Sequence, residues 1–281
     1  MKNLANPYVI KEILNKNSFN FSKSLGQNFL IDDAVLDSIC DSAEIDGANI
    51  LEIGPGFGTL TQRLCSRAKK VVSVEIDSSV IPILTENLKE CTNLKIIHAD
   101  IMKTDIKKLI EDEFGGEKIK VCANLPYYIT SPVIMSLISP ELPIEDITVM
   151  IQKEVAERIN ANAGSKDYGV LTLSVGYYTE SEITLTVPPT AFMPPPKVYS
   201  SVIKLTVREK PPVEVRDTKV YFNVIKSAFA LRRKTLNNAL SSGLSMSKED
   251  VNKILEKVGI DPRRRGETLT DSEFALIANE M

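Results

Sequence analysis

Ile50-Leu51-Glu52-Ile53-Gly54-Pro55-Gly56-Phe57-Gly58-Thr59 is the stretch that decides the fold. A short apolar run ends in G-x-G-x-G, and a helical stretch begins at Thr59. Glycines between a strand and a helix let the backbone turn sharply and approach a ligand closely, as in dinucleotide sites. The spacing departs from the G-x-G-x-x-G of dehydrogenases, which weakens the case for NAD. Taken alone, the segment also reads as a tight strand-to-helix turn.

Outward from this segment the same alternation continues. Val71–Glu75, Leu94–Ile97, Ile119–Ala123 and Ile147–Ile151 are short apolar runs, and helical stretches start at Thr59 and Ser79. Strand–helix alternation builds a parallel, doubly wound sheet with ligands at the carboxyl ends of its strands. Val170–Tyr177, Ser181–Val187 and Ser201–Val207 read as shorter strands completing that sheet in antiparallel fashion, separated by Pro188-Pro189 and Pro194-Pro195-Pro196. Upstream, Asn6-Pro7 predicts a helix over 7–16, Phe19 to Ser24 reads as a linker, and Asp32 or Asp33 caps a helix carrying Val35, Leu36, Ile39, Cys40 and Ala43. Pro211-Pro212 marks a second linker, and the pattern after Asp217 is helical, with Ser247 and Asp271 as caps. The domains expected are an N-terminal extension over 1–22, a catalytic domain over 23–210 and a C-terminal helical domain over 211–281.

The chain has 281 residues, 43% hydrophobic and 25% charged, enough for one large domain and a smaller one. No stretch approaches the roughly 18 apolar residues of a membrane span, and residues 1–20 lack the apolar centre of a signal peptide, so a cytoplasmic protein without a membrane partner is expected. Cys40, Cys65, Cys91 and Cys122 are scattered, indicating neither a zinc site nor a disulfide framework. Net charge is −3 and the pI is near 5.5, which argues mildly against a protein that coats nucleic acid. The distribution is uneven, however: residues 217–265 carry 11 Lys/Arg against 5 Asp/Glu, including Arg232-Arg233-Lys234 and Arg263-Arg264-Arg265. One such cluster is ordinarily a solvated helix face; basic character at both ends of the chain favours RNA contact.

The remaining candidates fall at strand ends. Glu75 lies 19 residues past Gly56, where an acid accepts both hydroxyls of an adenosine ribose. Asp100 ends the third strand, placed to bond the adenine amine of the same ligand. Asn124-Leu125-Pro126-Tyr127 closes the fourth strand. An exocyclic aromatic amine is a poor nucleophile because its lone pair is delocalised into the ring. The Asn124 side-chain oxygen and the Leu125 carbonyl, accepting its two N–H bonds, would favour the pyramidal, attack-ready nitrogen. Pro126 stiffens the loop, and Tyr127 can stack on the base. With the glycine segment, this points to methyl transfer from S-adenosylmethionine to adenine N6, without a metal. Phe192, in the proline loop, could hold the second face of a flipped base or pack in the core. Asn28 could reach the methionine end of the cofactor. His98, the sole histidine, reads as structural.

These segments resemble the KsgA-type (RsmA) 16S rRNA adenine N6,N6-dimethyltransferases nearly end to end. The matching parts are Ser24–Leu30, Leu51–Thr61, Val74–Asp77, His98–Ile101, Asn124–Tyr127, Gln152–Ile159, Phe192–Val202, Ala228–Leu240 and Arg263–Leu269. The resemblance implies a Rossmann-like methyltransferase fold with a mostly parallel seven-stranded sheet and a small C-terminal α-helical domain. It implies dimethylation of two adjacent adenosines in the 3′-terminal hairpin loop of small-subunit (16S) rRNA, within a precursor of the small ribosomal subunit, late in ribosome biogenesis. By the same resemblance Asn28, Leu30, Gly54, Gly56, Glu75, Asp100 and Asn124 line the S-adenosylmethionine site, and the C-terminal helices grip the RNA. The acidic pI departs from the family's usual basic character and predicts a shallow salt dependence. A monomer is expected. The alternatives are an Erm-type 23S rRNA adenine methyltransferase, which tends toward Ile where Leu125 stands and lacks the Ala228–Leu240 pattern, and a protein acting chiefly as a non-catalytic assembly checkpoint. A small-molecule methyltransferase is more distant, since it would not need a basic helical appendage.

Overall fold

A computed structural model of the chain describes residues 2–17 and 26–281. The linker expected over Phe19–Ser24 lies outside the described residues, as do Ser24 and Leu25 of the segment before the second helix. In chain order the elements are α1 (Pro7–Lys16), β1 (Phe29–Leu30), α2 (Asp33–Ser42), β2 (Asn49–Ile53), α3 (Thr59–Arg67), β3 (Lys70–Glu75), α4 (Ile81–Asn87) and β4 (Leu94–His98). Then come α5 (Ile106–Phe114), β5 (Ile119–Asn124), α6 (Thr130–Leu137), β6 (Ile144–Gln152), α7 (Lys153–Ile159) and α8 (Val170–Tyr178). The chain continues through β7 (Thr179–Val187), β8 (Phe192–Met193), β9 (Ser200–Val207), α9 (Thr218–Ala230), α10 (Leu236–Gly243), α11 (Lys248–Lys257) and α12 (Asp271–Asn279). Two compact units result, residues 1–156 with 180–207 and residues 157–179 with 208–281.

The first unit holds a seven-stranded sheet in the order β4-β3-β2-β5-β6-β9-β7. Strands β2 to β6 pair in parallel, and β9 runs antiparallel to β6. All five residues of β2 are buried, as expected of a parallel strand covered on both faces. A separate two-stranded ribbon pairs Phe29 with Met193 and Leu30 with Phe192. Asp32, not Asp33, caps α2, accepting from the N–H groups of Ala34 and Val35 at 3.0 and 3.2 Å. The described part of the expected N-terminal extension belongs to this unit's core. Leu4, Ala5 and Ile10 are buried, the Leu4 N–H donates to Gln62 Oε1 at 3.0 Å, and Gln62 Nε2 donates to the Lys2 carbonyl at 2.8 Å.

The second unit corrects three sequence expectations. Val170–Tyr177 is not a strand but most of α8, and with it residues 157–179 join the helical unit. Leu173 and Tyr177 pack in one apolar cluster with Tyr221, Ile225, Leu240 and Phe274. Thr172, Ser174 and Val175 are buried as well, so no polar stripe marks the helix. A helix buried nearly all round loses its 3.6-residue signature and reads as a strand. The boundary expected at 210/211 falls at 207/208. Ser247 caps α11 as expected, whereas α12 is capped by Thr270 rather than Asp271. The Thr270 N–H donates to Glu273 Oε2 at 2.9 Å, and Thr270 Oγ1 accepts from the Glu273 N–H at 3.3 Å.

Gly243, the last residue of α10, lies against α9. A Cβ there would stand 2.8 Å from Ser227 Cα. Helix propensity alone would make Gly243→Ala stabilising by about 1 kcal/mol, but overpacking at this contact costs about 1–3 kcal/mol. The variant is therefore expected to be less stable than the parent in urea unfolding, and an increase in stability would show that the two helices yield.

Candidate active site

The first unit has a cavity where the carboxyl ends of β2, β3, β4 and β5 come together. This is where ligands bind in a sheet of this topology, because β2 is flanked by β3 on one side and β5 on the other and the connections diverge there. The floor is the turn from β2 to α3. Gly54, Gly56 and Gly58 have φ of +68°, +57° and +91°, a region closed to most side chains. The three glycines differ in surroundings. A Cβ on Gly54 would meet nothing within 4 Å, so this glycine faces the open cavity. A Cβ on Gly56 would lie 2.6 Å from the Phe29 ring, and one on Gly58 would strike Leu84 and Leu88. Gly54 alone leaves room for a ligand, and the other two make room for the protein itself.

Glu75, at the end of β3, is buried, and each of its oxygens accepts a backbone N–H, from Gly56 at 3.2 Å and from Asp77 at 2.8 Å. Burial raises its carboxyl above the usual range, and those two N–H bonds pull it part of the way back. A carboxylate with one bond on each oxygen retains lone pairs for two further donors. Asp100, past the end of β4, accepts the Met102 N–H at 3.0 Å and stands 3.5 Å from Lys103 Nζ. Asn124, at the end of β5, donates from Nδ2 to the Asn28 carbonyl at 3.0 Å, which leaves its Oδ1 as the free acceptor end. The next peptide is fixed too, with the Leu125 N–H donating to the Met150 carbonyl at 3.1 Å. Tyr127 begins a short 3-10 turn, and its hydroxyl lies 2.8 Å from Ser200 Oγ.

Asn28, Leu30, Gly54, Gly56, Glu75, Asp100, Asn124, Leu125, Pro126 and Tyr127 all line this one cavity. Phe192 does not: it is 3% exposed, within the apolar cluster that includes Leu30, Val35, Val187 and Val202. Its pairing opposite Leu30 turns the ring into the core, so packing is the role the structure gives it. His98 is exposed, with Nε2 3.3 Å from the Ile76 carbonyl. Among the described residues no group of three or more His, Cys, Asp or Glu side chains is arranged to hold a metal.

Phe29, Tyr128 and Glu52 are among the lining residues that the sequence reading did not single out. Phe29 stacks on Phe57 with ring centroids 4.1 Å apart and covers Gly56. Tyr128 is 57% exposed at the cavity mouth, one residue beyond the aromatic that the motif singles out. Glu52 lies beneath the glycine turn at 1% exposure, accepting hydroxyl bonds from Thr61 at 3.1 Å and Ser73 at 2.6 Å. Its signal was an acid between Leu51 and Ile53 in the apolar run that begins at Ile50.

In the second unit the two arginine clusters are joined through the backbone. The N–H groups at the start of α10, those of Leu236 and Asn237, donate to the carbonyls of Arg264 and Pro262 at 2.7 and 3.1 Å. Arg232-Arg233-Lys234 and Arg263-Arg264-Arg265 therefore form one neighbourhood. Their side chains are not equivalent. Arg264 pairs with Glu273 and bonds Thr268 Oγ1 at 3.1 Å, Arg263 pairs with Asp261 at 3.1 Å, Arg265 stands 3.9 Å from Glu267, and Arg232 donates to the Lys166 carbonyl. Arg233 and Lys234 are exposed, and among the described residues no partner engages their side chains.

Residues 18–280 match the family described as ribosomal RNA adenine dimethylase. Over its full length the chain is 52% identical to a ribosomal RNA small subunit methyltransferase A from Geobacillus thermodenitrificans, covering 97% of that protein. It is 48% identical to the protein of the same name from Alkaliphilus oremlandii, again over its full length and 99% of the relative. Among solved structures, a dimethyladenosine transferase from Plasmodium falciparum superimposes with a TM-score of 0.74 at 28% identity, covering 89% of this chain and 95% of that one. The 23S rRNA methyltransferase ErmE superimposes with a TM-score of 0.69 at 25% identity, covering 90% of this chain and 99% of that one.

Glu52 generates a pH dependence. Burial pushes its carboxyl from the ordinary 4.5 up to about 7, against the hydroxyl bonds from Ser73 and Thr61 and with some help from the charge of Glu75. A carboxyl whose pKa is raised by folding favours the folded state while protonated, so this contribution is lost as pH rises from about 4.5 to about 7, by up to about 3 kcal/mol. Urea unfolding of Glu52→Gln at about pH 5 and about pH 7.5 is expected to show a smaller fall in stability than the parent shows. An equal fall in both proteins would mean that Glu52 is ionised throughout.

Proposed function

The chain belongs to the ribosomal RNA adenine dimethylase family, and from that membership and the residues of the cavity we infer that it dimethylates N6 of two adjacent adenosines in the 3′-terminal hairpin loop of small-subunit (16S) rRNA, using S-adenosylmethionine. The observation that carries this reading is the Asn124 amide. Its donor end is fixed on the Asn28 carbonyl and its acceptor end remains available beside the cavity. The name shared by the relatives at 52% and 48% identity supports the small subunit over the large-subunit target named for ErmE.

The cavity's donor and acceptor set suits S-adenosylmethionine. Gly54 leaves space against the backbone, Glu75 retains acceptor capacity for a ribose diol, and Asp100 can accept from an adenine amine. When bound, the cofactor supplies an electrophilic methyl group on a sulfonium. The chain's own residues then do the rest. Tyr127 stacks on an adenine taken out of its hairpin loop, where unstacking costs least. Asn124 Oδ1 and the Leu125 carbonyl each accept an N–H of the amine, drawing its lone pair out of conjugation and aiming it. Holding the reactants this way converts an encounter into a near-unimolecular step. The proton lost from N6 passes to solvent after transfer, so no strong base is required, and none of the histidine type stands at the cavity. Arg233 and Lys234, exposed beside the other cluster, are the residues we assign to phosphate contact, with Arg264 holding the fold of that region through Glu273.

Purified protein and labelled S-adenosylmethionine are to be incubated with unmethylated small subunits and, separately, with large subunits, and any N6,N6-dimethyladenosine mapped. Label in the 3′-terminal small-subunit hairpin is the expected result; label confined to the large subunit would replace this reading with the resistance-type one, and label in neither would leave a binding protein. In the same assay Asn124→Ala should lower turnover by roughly 100-fold or more while cofactor binding stays measurable by calorimetry. Near-full activity would remove Asn124 from its assigned role.

Phosphate contact has its own signature. The slope of log affinity for small subunits against log salt should fall by about 0.7–1 for each of Arg233→Ala and Lys234→Ala. Arg264→Ala should instead lower the unfolding midpoint with little change in slope, and the opposite pattern would reverse the assignment.

A further inference from the structure

Tyr127 is anchored outside the Asn124–Tyr127 tetrad, by a residue to which the sequence reading gave no role. Its hydroxyl lies 2.8 Å from the Oγ of Ser200, a residue with no solvent exposure. Ser200 opens β9 and is paired in register with Gln152, the last residue of β6. The neighbouring peptide is held as well, the Lys153 N–H donating to the Tyr199 carbonyl at 3.0 Å. The serine is thus fixed by the antiparallel β6–β9 pair, while Tyr127 hangs on the short turn that follows β5.

The geometry points to Ser200 as a positioning residue for the methyl-transfer reaction: its hydroxyl clamps the Tyr127 hydroxyl, so that the ring stands in its base-stacking orientation before RNA arrives. This rests on the reading of Tyr127 as the stacking residue. A ring held only at Cα can swing about two side-chain torsions, and one held also at its far end cannot. Ordering the ring beforehand removes that entropy cost from the binding of the flipped base. Phe192, the second aromatic that the sequence offered for the base, lies in the core and does not share this task. Burial raises the Tyr127 phenol above its usual range, which keeps the hydroxyl protonated and available for the clamp at neutral pH.

Four proteins test this on unmethylated small subunits: Ser200→Ala, Tyr127→Phe, the double variant, and Tyr127→Ala. Ser200→Ala and Tyr127→Phe should each lower kcat/KM for the subunit by on the order of 10-fold, with the loss in kcat and the dissociation constant for S-adenosylmethionine unchanged. The double variant should be no worse than the poorer single one, because both remove the same bond. Losses that multiply, or full activity in either single variant, would overturn the clamp. Should Ser200→Ala fail to fold, Tyr127→Phe alone decides, since it keeps the ring and removes only the hydroxyl. Tyr127→Ala separates the two levels. If it retains activity, the stacking reading and the clamp fail together; if it is inactive while Tyr127→Phe is fully active, stacking stands and the clamp alone is lost.

Discussion

The Glu75 carboxylate, held by the N–H groups of Gly56 and Asp77, is the constraint from which the rest of the site follows. Hydrogen bonds to an ionised group contribute about 1.5–3 kcal/mol each when buried, enough to hold a turn whose glycines all sit at positive φ. With Gly56 pinned to β3, the Phe29 ring can lie directly on it and stack against Phe57. Phe29 is one member of the short β1–β8 ribbon, and the residue before it, Asn28, offers its carbonyl to the Asn124 amide. One chain of contacts thus runs from the acid at the end of β3 to the amide at the end of β5. The half of the cavity at the glycine turn and the half at Asn124 are built as a single object.

Much of this was legible in the sequence because the informative residues are punctuation. Glycines at positive φ, acids at strand ends and a proline-stiffened tetrad are local signals, and each marks a place where the backbone does something a generic residue cannot. What the sequence hid was set by partners distant in the chain. Gly56 looks like a glycine that admits a ligand, and only the Phe29 ring shows that it admits a side chain of the protein. Phe192 has the composition of a stacking residue, and only its register opposite Leu30 turns it inward. Val170–Tyr178 is helical because a ring of apolar residues surrounds it, and that ring is drawn from 221–274, beyond the reach of any local window. Among six basic residues the sequence cannot separate Arg264, paired with Glu273, from Arg233, which has no such acid beside it among the described residues.

A net charge of −3 and a basic surface coexist here because backbone geometry concentrates what composition disperses. Two runs of three basic residues, 31 positions apart, are drawn together by two N–H bonds at the first turn of α10. Those N–H groups are ones that any helix start must satisfy, and the carbonyls of Arg264, within the second run, and of Pro262, just before it, satisfy them. The density of positive charge is therefore a by-product of capping a helix, and it survives in a protein whose overall composition is acidic.

The path of the chain through its two units has a consequence for how the protein can be divided. The polypeptide leaves the first unit after residue 156, contributes α8 to the second, returns at 180 to supply β7 and β9, and leaves again after 207. No single scission separates them. A fragment ending near 210 would carry α8 with its apolar flank stripped of Tyr221, Ile225 and Phe274, and the complementary fragment would lack Leu173 and Tyr177 from its core. The helical unit is made of two chain segments, the first of which interrupts the sequence of the sheet unit. Loss of the C-terminal helices would strip α8 of its covering, so those helices cannot change independently of a segment that lies between the strands of the sheet unit in the sequence.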